Sequence, residues 1–244
     1  MNRIGEESIN YQGLKMTIIN YRTYNDIDVQ FEDGSIRENV RYDHFKNKCI
    51  KNFYYPEVFG VGCLGEASCV DSTGKQLRSY KLWSSLLNRC YNSNHKYYKN
   101  YGGKNIKVCD EWLCYANFKK WYDINYYEIK GKNVELDKDI LIPNNKLYSP
   151  NACVFVPRQI NTFFRGYTKE TDLPKGVSLE NGKYRAYLNI DGKRKTLGKY
   201  NTIKEAECVY KQAWLKEIKK LAIKYQSNIP IKLYDRLIEI SEGD

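Results

Sequence analysis

The chain has 244 residues, enough for one large domain or two to three small ones. It carries a formal charge of +11 and is 14% aromatic, with 23 tyrosines able to supply core and stacking surface. It contains no apolar run long enough to span a membrane, and its start, MNRIGEESINYQG, lacks the apolar stretch of a secretory signal, so the expected location is cytoplasmic, in a host cell.

The charge is uneven. Residues 1–56 hold eight basic and eight acidic side chains, residues 57–168 hold 16 and 10, and residues 169–244 hold 16 and 11. A basic surface of this kind favours a polyanion through phosphate contact and counterion release. The eight cysteines contain no CxxC pair and are accompanied by only two histidines, His44 and His95. Structural zinc, which needs close ligand pairs, is therefore not expected; reduced and mostly buried thiols are.

A first module is expected over residues 1–56. Met16 to Tyr21 reads as a strand, and Ile27, Val29 and Phe31 alternate with Asp28, Gln30 and Glu32 as in a half-buried strand. Asp33-Gly34 supplies the turn, and Val40, Tyr42 and Phe45 form a third apolar set. So small a β unit is marginal alone and is expected to pack on a neighbour.

The second module spans residues 57–168. Tyr80 to Tyr91 places Leu82, Trp83, Leu86, Leu87 and Cys90 on one helical stripe. Tyr101-Gly102-Gly103 breaks the chain, Ile106 to Cys109 reads as a short strand, and Asp110 is the expected N-cap of a helix from Glu111 to Asp123 with Trp112, Phe118 and Trp121 inward. The stretch Leu136 to Asn161, LDKDILIPNNKLYSPNACVFVPRQIN, reads as two short strands turning into a helix, entered through Asp137 and Asp139 and closed by Asn161.

Residues 169–228 form the third module, reached through a linker at Gly166 to Pro174. Lys175 to Leu179 reads as a strand, and Asn181-Gly182 as a hairpin turn. Tyr184, Ala186, Leu188 and Ile190 alternate with Arg185, Tyr187 and Asn189, and Asp191-Gly192 leads into a third strand, Lys193 to Gly198. Thr202 and Glu205 have capping-box spacing before a helix whose buried stripe is Ala206, Val209, Tyr210, Ala213, Trp214, Ile218 and Leu221. The tail, residues 229–244, carries Ile231, Leu233, Tyr234, Leu237 and Ile238 and reads as a short helix docking on the body. The expected class is α+β and multi-module: a small N-terminal β unit, a central ββα unit with flanking helices, and a three-stranded sheet backed by a helix.

Two segments resemble known families. WSSLLNRCYN, YGGKNIKVCDEWLCYANFKKWY and LD…YSPNACVFVP…N, in that order over Tyr80 to Asn161, resemble the phage HNH-type (ββα-metal) endonucleases, including homing enzymes. KGVSLENGKYRAYLNIDGKRKTLGKYNTIKEAECVY resembles the AP2 (integrase-type DNA-binding) domain. The first resemblance implies a nuclease (hydrolase) site with a single Mg²⁺ or Mn²⁺ ion on Asp137 and Asn161. Lys138, however, stands where that family has its general-base histidine, and Ala152, beside Asn151, where it has the orienting asparagine. The second implies that a sheet face bearing Lys175, Ser178, Arg185, Tyr187, Asn189, Arg194 and Thr196 lies in the major groove of double-stranded DNA, which a β-ribbon fits.

Three functions stay open on the sequence. One is a metal-dependent endonuclease of phage or mobile-element type with an altered site. There Asp139 would act as base, a weak one at neutral pH, and Lys138 would stabilise the phosphate. The second is a catalytically inactive DNA binder or regulator on the same scaffold. The third is an interaction protein that captures a nucleotide or a host protein, such as a host-defence enzyme. His95, in the loop Asn92 to Asn100, is far from the motif in the chain.

Overall fold

The computed structural model describes residues 3–165 and 172–243. It is a mixed α+β protein with several small sheets and helices. The chain divides into two compact units, Met1–Tyr122 and Asp123–Asp244. This division falls inside the expected module 57–168, whose ββα part joins the C-terminal unit.

In the first unit, strands β1 (Glu7–Ile9), β2 (Lys15–Thr23), β3 (Asp26–Phe31) and β4 (Ile36–Val40) form an antiparallel four-stranded meander. β1 lies outside the apolar runs that mark the others. The alternating Met16, Ile18, Ile27, Val29 and Phe31 are buried and meet Tyr42 and Phe45 from helix α1 (Tyr42–Lys46). Asp28, expected on the polar face, is buried because Arg22 places Nη1 2.7 Å from its carboxylate and Asn20 donates to the same oxygen at 2.9 Å.

Helix α2 (Arg78–Tyr91) buries Trp83, Leu86, Leu87 and Cys90 as the stripe predicts. After the short strand β5 (Lys107–Val108), the expected single helix is two: α3 (Asp110–Leu113) and α4 (Tyr115–Asn125). Cys109 occupies the N-cap position expected for Asp110. The break has a tertiary cause. The carbonyl of Leu113 accepts from Cys63 N at 3.0 Å and Tyr115 N donates to Cys63 O at 2.8 Å, which pulls Cys114 into an extended conformation. Tyr115 and Tyr122 take buried places, while Trp121 is half-buried.

The second unit begins its sheet structure with β6 (Val134–Asp137), the short β7 (Leu147–Tyr148) and β8 (Val154–Pro157), then α5 (Arg158–Phe164). β6 and β8 pair antiparallel, with Glu135 opposite Val156 and Asp137 opposite Val154. β9 (Val177–Glu180), β10 (Lys183–Ile190) and β11 (Lys193–Tyr200) form an antiparallel sheet in the order β11-β10-β9. Asn181 and Gly182 turn with φ of 50° and 73°, the left-handed pair a tight hairpin needs. Residues 166–171 of the expected linker lie outside the described residues.

Helix α6 (Ile203–Tyr225) starts on a capping box made by Thr202 and Glu205, and α7 (Ile231–Glu242) follows. One core joins these helices to the ββα element: Ile140, Val154, Val156 and Ile160 pack with Ile218, Leu221, Ala222, Tyr225, Leu233 and Leu237. The segments read as separate modules from residue 123 onward therefore share their apolar interior, and the tail docks as expected. The thiol expectation needs correction: all eight cysteines lie outside any disulfide, but only Cys90 and Cys153 are buried, and Cys49 and Cys208 are exposed. Among the described residues, no helix is long and apolar enough to cross a membrane.

Candidate functional site

Period-two geometry puts Glu135 and Asp137 on one face of β6, the face that carries Val154 and Val156 of β8 toward Ile160 of α5. Asn161, on the next position of α5, is buried and donates its amide to Glu135 Oε2 at 2.7 Å. Arg165 reaches the same oxygen at 2.7 Å, and Arg158 Nε stands 3.6 Å from the other. Asn161 is thus held by Glu135. Sequence matching passed over Glu135, although its two-residue spacing from Asp137 was a usable signal.

Asp137 closes the end of β6. Its Oδ1 accepts the amides of Asp139 at 2.7 Å and Ile140 at 2.8 Å, so the carboxylate caps a turn. Burial pushes its carboxyl above the ordinary aspartate range, against those amide bonds, which pull it down. Lys138 is buried, with Nζ 2.6 Å from Asp139 Oδ1 and bonded to the carbonyl of Asn145. Asn145 answers by donating to the Lys138 carbonyl at 3.0 Å and to that of Leu147 at 2.6 Å. The three residues assigned to catalysis are brought together, but as the clasp of the loop from residue 138 to 147. Ala152 is buried beside β8, Asn151 is exposed, and His95 belongs to the other unit, where its Nδ1 accepts from Tyr97 N at 3.3 Å. Among the described residues, no group of three or more His, Cys, Asp or Glu side chains could hold a metal ion.

The face of the three-stranded sheet opposite α6 gathers a second set. Arg194 lies over the ring of Tyr187 with its guanidinium carbon 4.2 Å from the centroid, and Arg185 approaches the same ring at 5.8 Å. The stack covers Tyr187, which is only 7% exposed where the alternation predicts an open position. Arg185 also pairs with Glu180 at 3.4 Å, as Lys199 does at 3.1 Å. Ser178 is half-buried, and its hydroxyl is withdrawn from the surface with no hydrogen bond. Asn189, Arg194 and Thr196 are exposed. Lys175 stands apart at the start of the module, donating to the carbonyl of Phe163 at 3.1 Å, and burial lowers its ammonium below the ordinary lysine range.

A cleft of about 920 Å³ lies in this unit between α5, the end of β10 and α6. Tyr210 and Trp214, expected in the buried stripe of α6, are half-buried and line it. The chain matches no known family description, no curated protein and no solved structure.

Proposed function

We propose that this chain binds double-stranded DNA through the open face of its C-terminal sheet, in the manner of an AP2 domain, and that its HNH-like ββα element serves as scaffold and does not cleave. The observation that carries the reading is the Arg194–Tyr187–Arg185 stack. It sets two guanidiniums beside the exposed Asn189 and Thr196 on a three-stranded antiparallel sheet, and β-ribbons are elements that the major groove admits. Preordered arginines lose less rotamer freedom on binding than free ones.

The non-cleaving half is supported by the commitments of the other residues. The Lys138 ammonium is sealed against Asp139 and Asn145 and is not presented to a phosphate. A Mg²⁺ or Mn²⁺ ion fits this donor set poorly. Asp137 Oδ1 already caps two amides, and the Asn161 amide is tied to a carboxylate that Arg158 and Arg165 neutralise. Two guanidiniums on that carboxylate repel a divalent cation.

The test is fluorescence anisotropy on labelled duplexes across a salt series, beside a supercoiled-plasmid assay with Mg²⁺, Mn²⁺ or EDTA. Affinity should fall steeply with salt, and Arg185→Ala with Arg194→Ala should reduce the log–log slope by about 2. An unchanged slope would remove the sheet from the interface. Cation-dependent nicking that Asp137→Ala abolishes would restore the endonuclease reading.

A further inference from the structure

The cleft beside the sheet is strongly unbalanced in charge. Lys132, Arg158, Arg165, Lys175, Arg194 and Lys224 line it, against Asp191 and Glu217. Arg158 and Arg165 share the single carboxylate of Glu135. Among the described residues, Lys132, Lys175, Arg194 and Lys224 have no acidic partner; Lys175 has only the Phe163 carbonyl, and Lys224 donates to Gln159 at 3.0 Å. Uncompensated cations crowded into one concavity repel each other unless an anion joins them.

The cleft also offers ring surface. Trp214 is held in place by its Nε1 bond to the Phe163 carbonyl at 3.4 Å and by the stacked Phe163 ring, 6.5 Å centroid to centroid. Tyr210 lines the wall beside it. The walls are tied together at Gln159, whose amide donates to Asp191 and whose oxygen accepts from Tyr225 OH at 2.8 Å and from Lys224. The cleft is a built feature, with half-buried aromatic rings among cations.

Cations that follow a phosphate chain, interleaved with aromatic faces that accept any base, are the chemistry of single-strand recognition. A free mononucleotide shares that chemistry, but about 920 Å³ is near the upper end for a small-molecule pocket, and six cations exceed one phosphate's need. We propose that this cleft binds a short run of single-stranded nucleic acid, at a site that adjoins the duplex-binding sheet face and shares Tyr187, Asn189 and Arg194 with it.

The experiment uses the full chain and a labelled oligothymidylate of about ten residues, with duplex binding measured in parallel. Lys132→Gln with Lys224→Gln should weaken oligothymidylate binding about tenfold or more, with duplex affinity changed less than about threefold. Lys204→Gln with Lys211→Gln removes the same charge from exposed positions of α6 outside the cleft and should change oligothymidylate binding less than about threefold. Equal losses in the two double variants would overturn the proposal, because general charge would then explain binding. Thymidine monophosphate binding as tightly as the oligomer would also overturn it, in favour of a nucleotide pocket. No oligothymidylate binding at low salt would do so too, and would leave the duplex reading to be judged on its own measurement.

Discussion

Lys138 and Asn145 hold each other across the loop between β6 and β7: the ammonium of one bonds to the carbonyl of the other, and the amide of Asn145 returns a 3.0 Å bond to the Lys138 carbonyl. A lysine at this position fastens the loop that follows the strand. Lys138→Met keeps the length of the stem and leaves a carbonyl without its charged donor. It should cost on the order of 2 kcal/mol, read as a lower midpoint in urea unfolding. Hydrogen exchange should quicken at the amides of residues 139–147 first. An unchanged midpoint would release Lys138 for a role at phosphate.

Asp28 and Arg22 set a pH dependence in the N-terminal unit. Arg22 donates to the buried Asp28 carboxylate, and Asn20 and the amide of Asn39 add bonds, so Asp28 titrates well below the usual aspartate range. A carboxyl whose folded pKa is depressed stabilises the fold above its unfolded pKa, about 3.9, and loses that contribution as pH falls below it. The stability advantage over Asp28→Asn should be level from about pH 5 to 7 and shrink below about pH 4. Melting curves of both proteins across that range check it, and an advantage that grows on acidification would contradict the assignment.

Gly176 is required twice over. Its φ is +77°, and a Cβ there would stand 2.0 Å from the Tyr210 ring. Gly182, at φ +73°, has nothing within 4 Å of that position. Gly182→Ala should therefore cost about 1 kcal/mol from backbone conformation alone. Gly176→Ala should cost at least about 2 kcal/mol more, from overpacking against Tyr210. Equal thermal shifts would mean that the turn yields without disturbing α6.

The tail should prove structural. Leu237 is fully buried in the core shared by α5, α6 and α7, whereas Ile231 on the same helix is 71% exposed. Leu237→Ala should destabilise by about 3 kcal/mol and Ile231→Ala by less than about 0.5. Denaturant titration of the two variants separates a docked helix from a loose one.

Local patterns made much of the fold legible. The strands β2, β3 and β10, the turn at Asn181-Gly182, the capping box at Thr202 and the stripe of α2 each follow from periodicity or turn chemistry within about a dozen residues. The ββα order around Asp137 was readable for the same reason. Where local reading failed, a distant partner was responsible. Cys63 split the helix after Asp110, and the two arginines flanking Tyr187 covered a ring that alternation places in the open.

The sequence by itself determined the class of the fold, much of the element order and the residues that frame a candidate site, because those depend on neighbours along the chain. Only the tertiary structure decided what those residues do. Glu135 claims Asn161, Asn145 claims Lys138, and α5, α6 and α7 bury one core between segments that read as separate modules. Burial and pairing are properties of groups brought together from far apart in the chain, and periodicity, which ends with each element, carries no record of them.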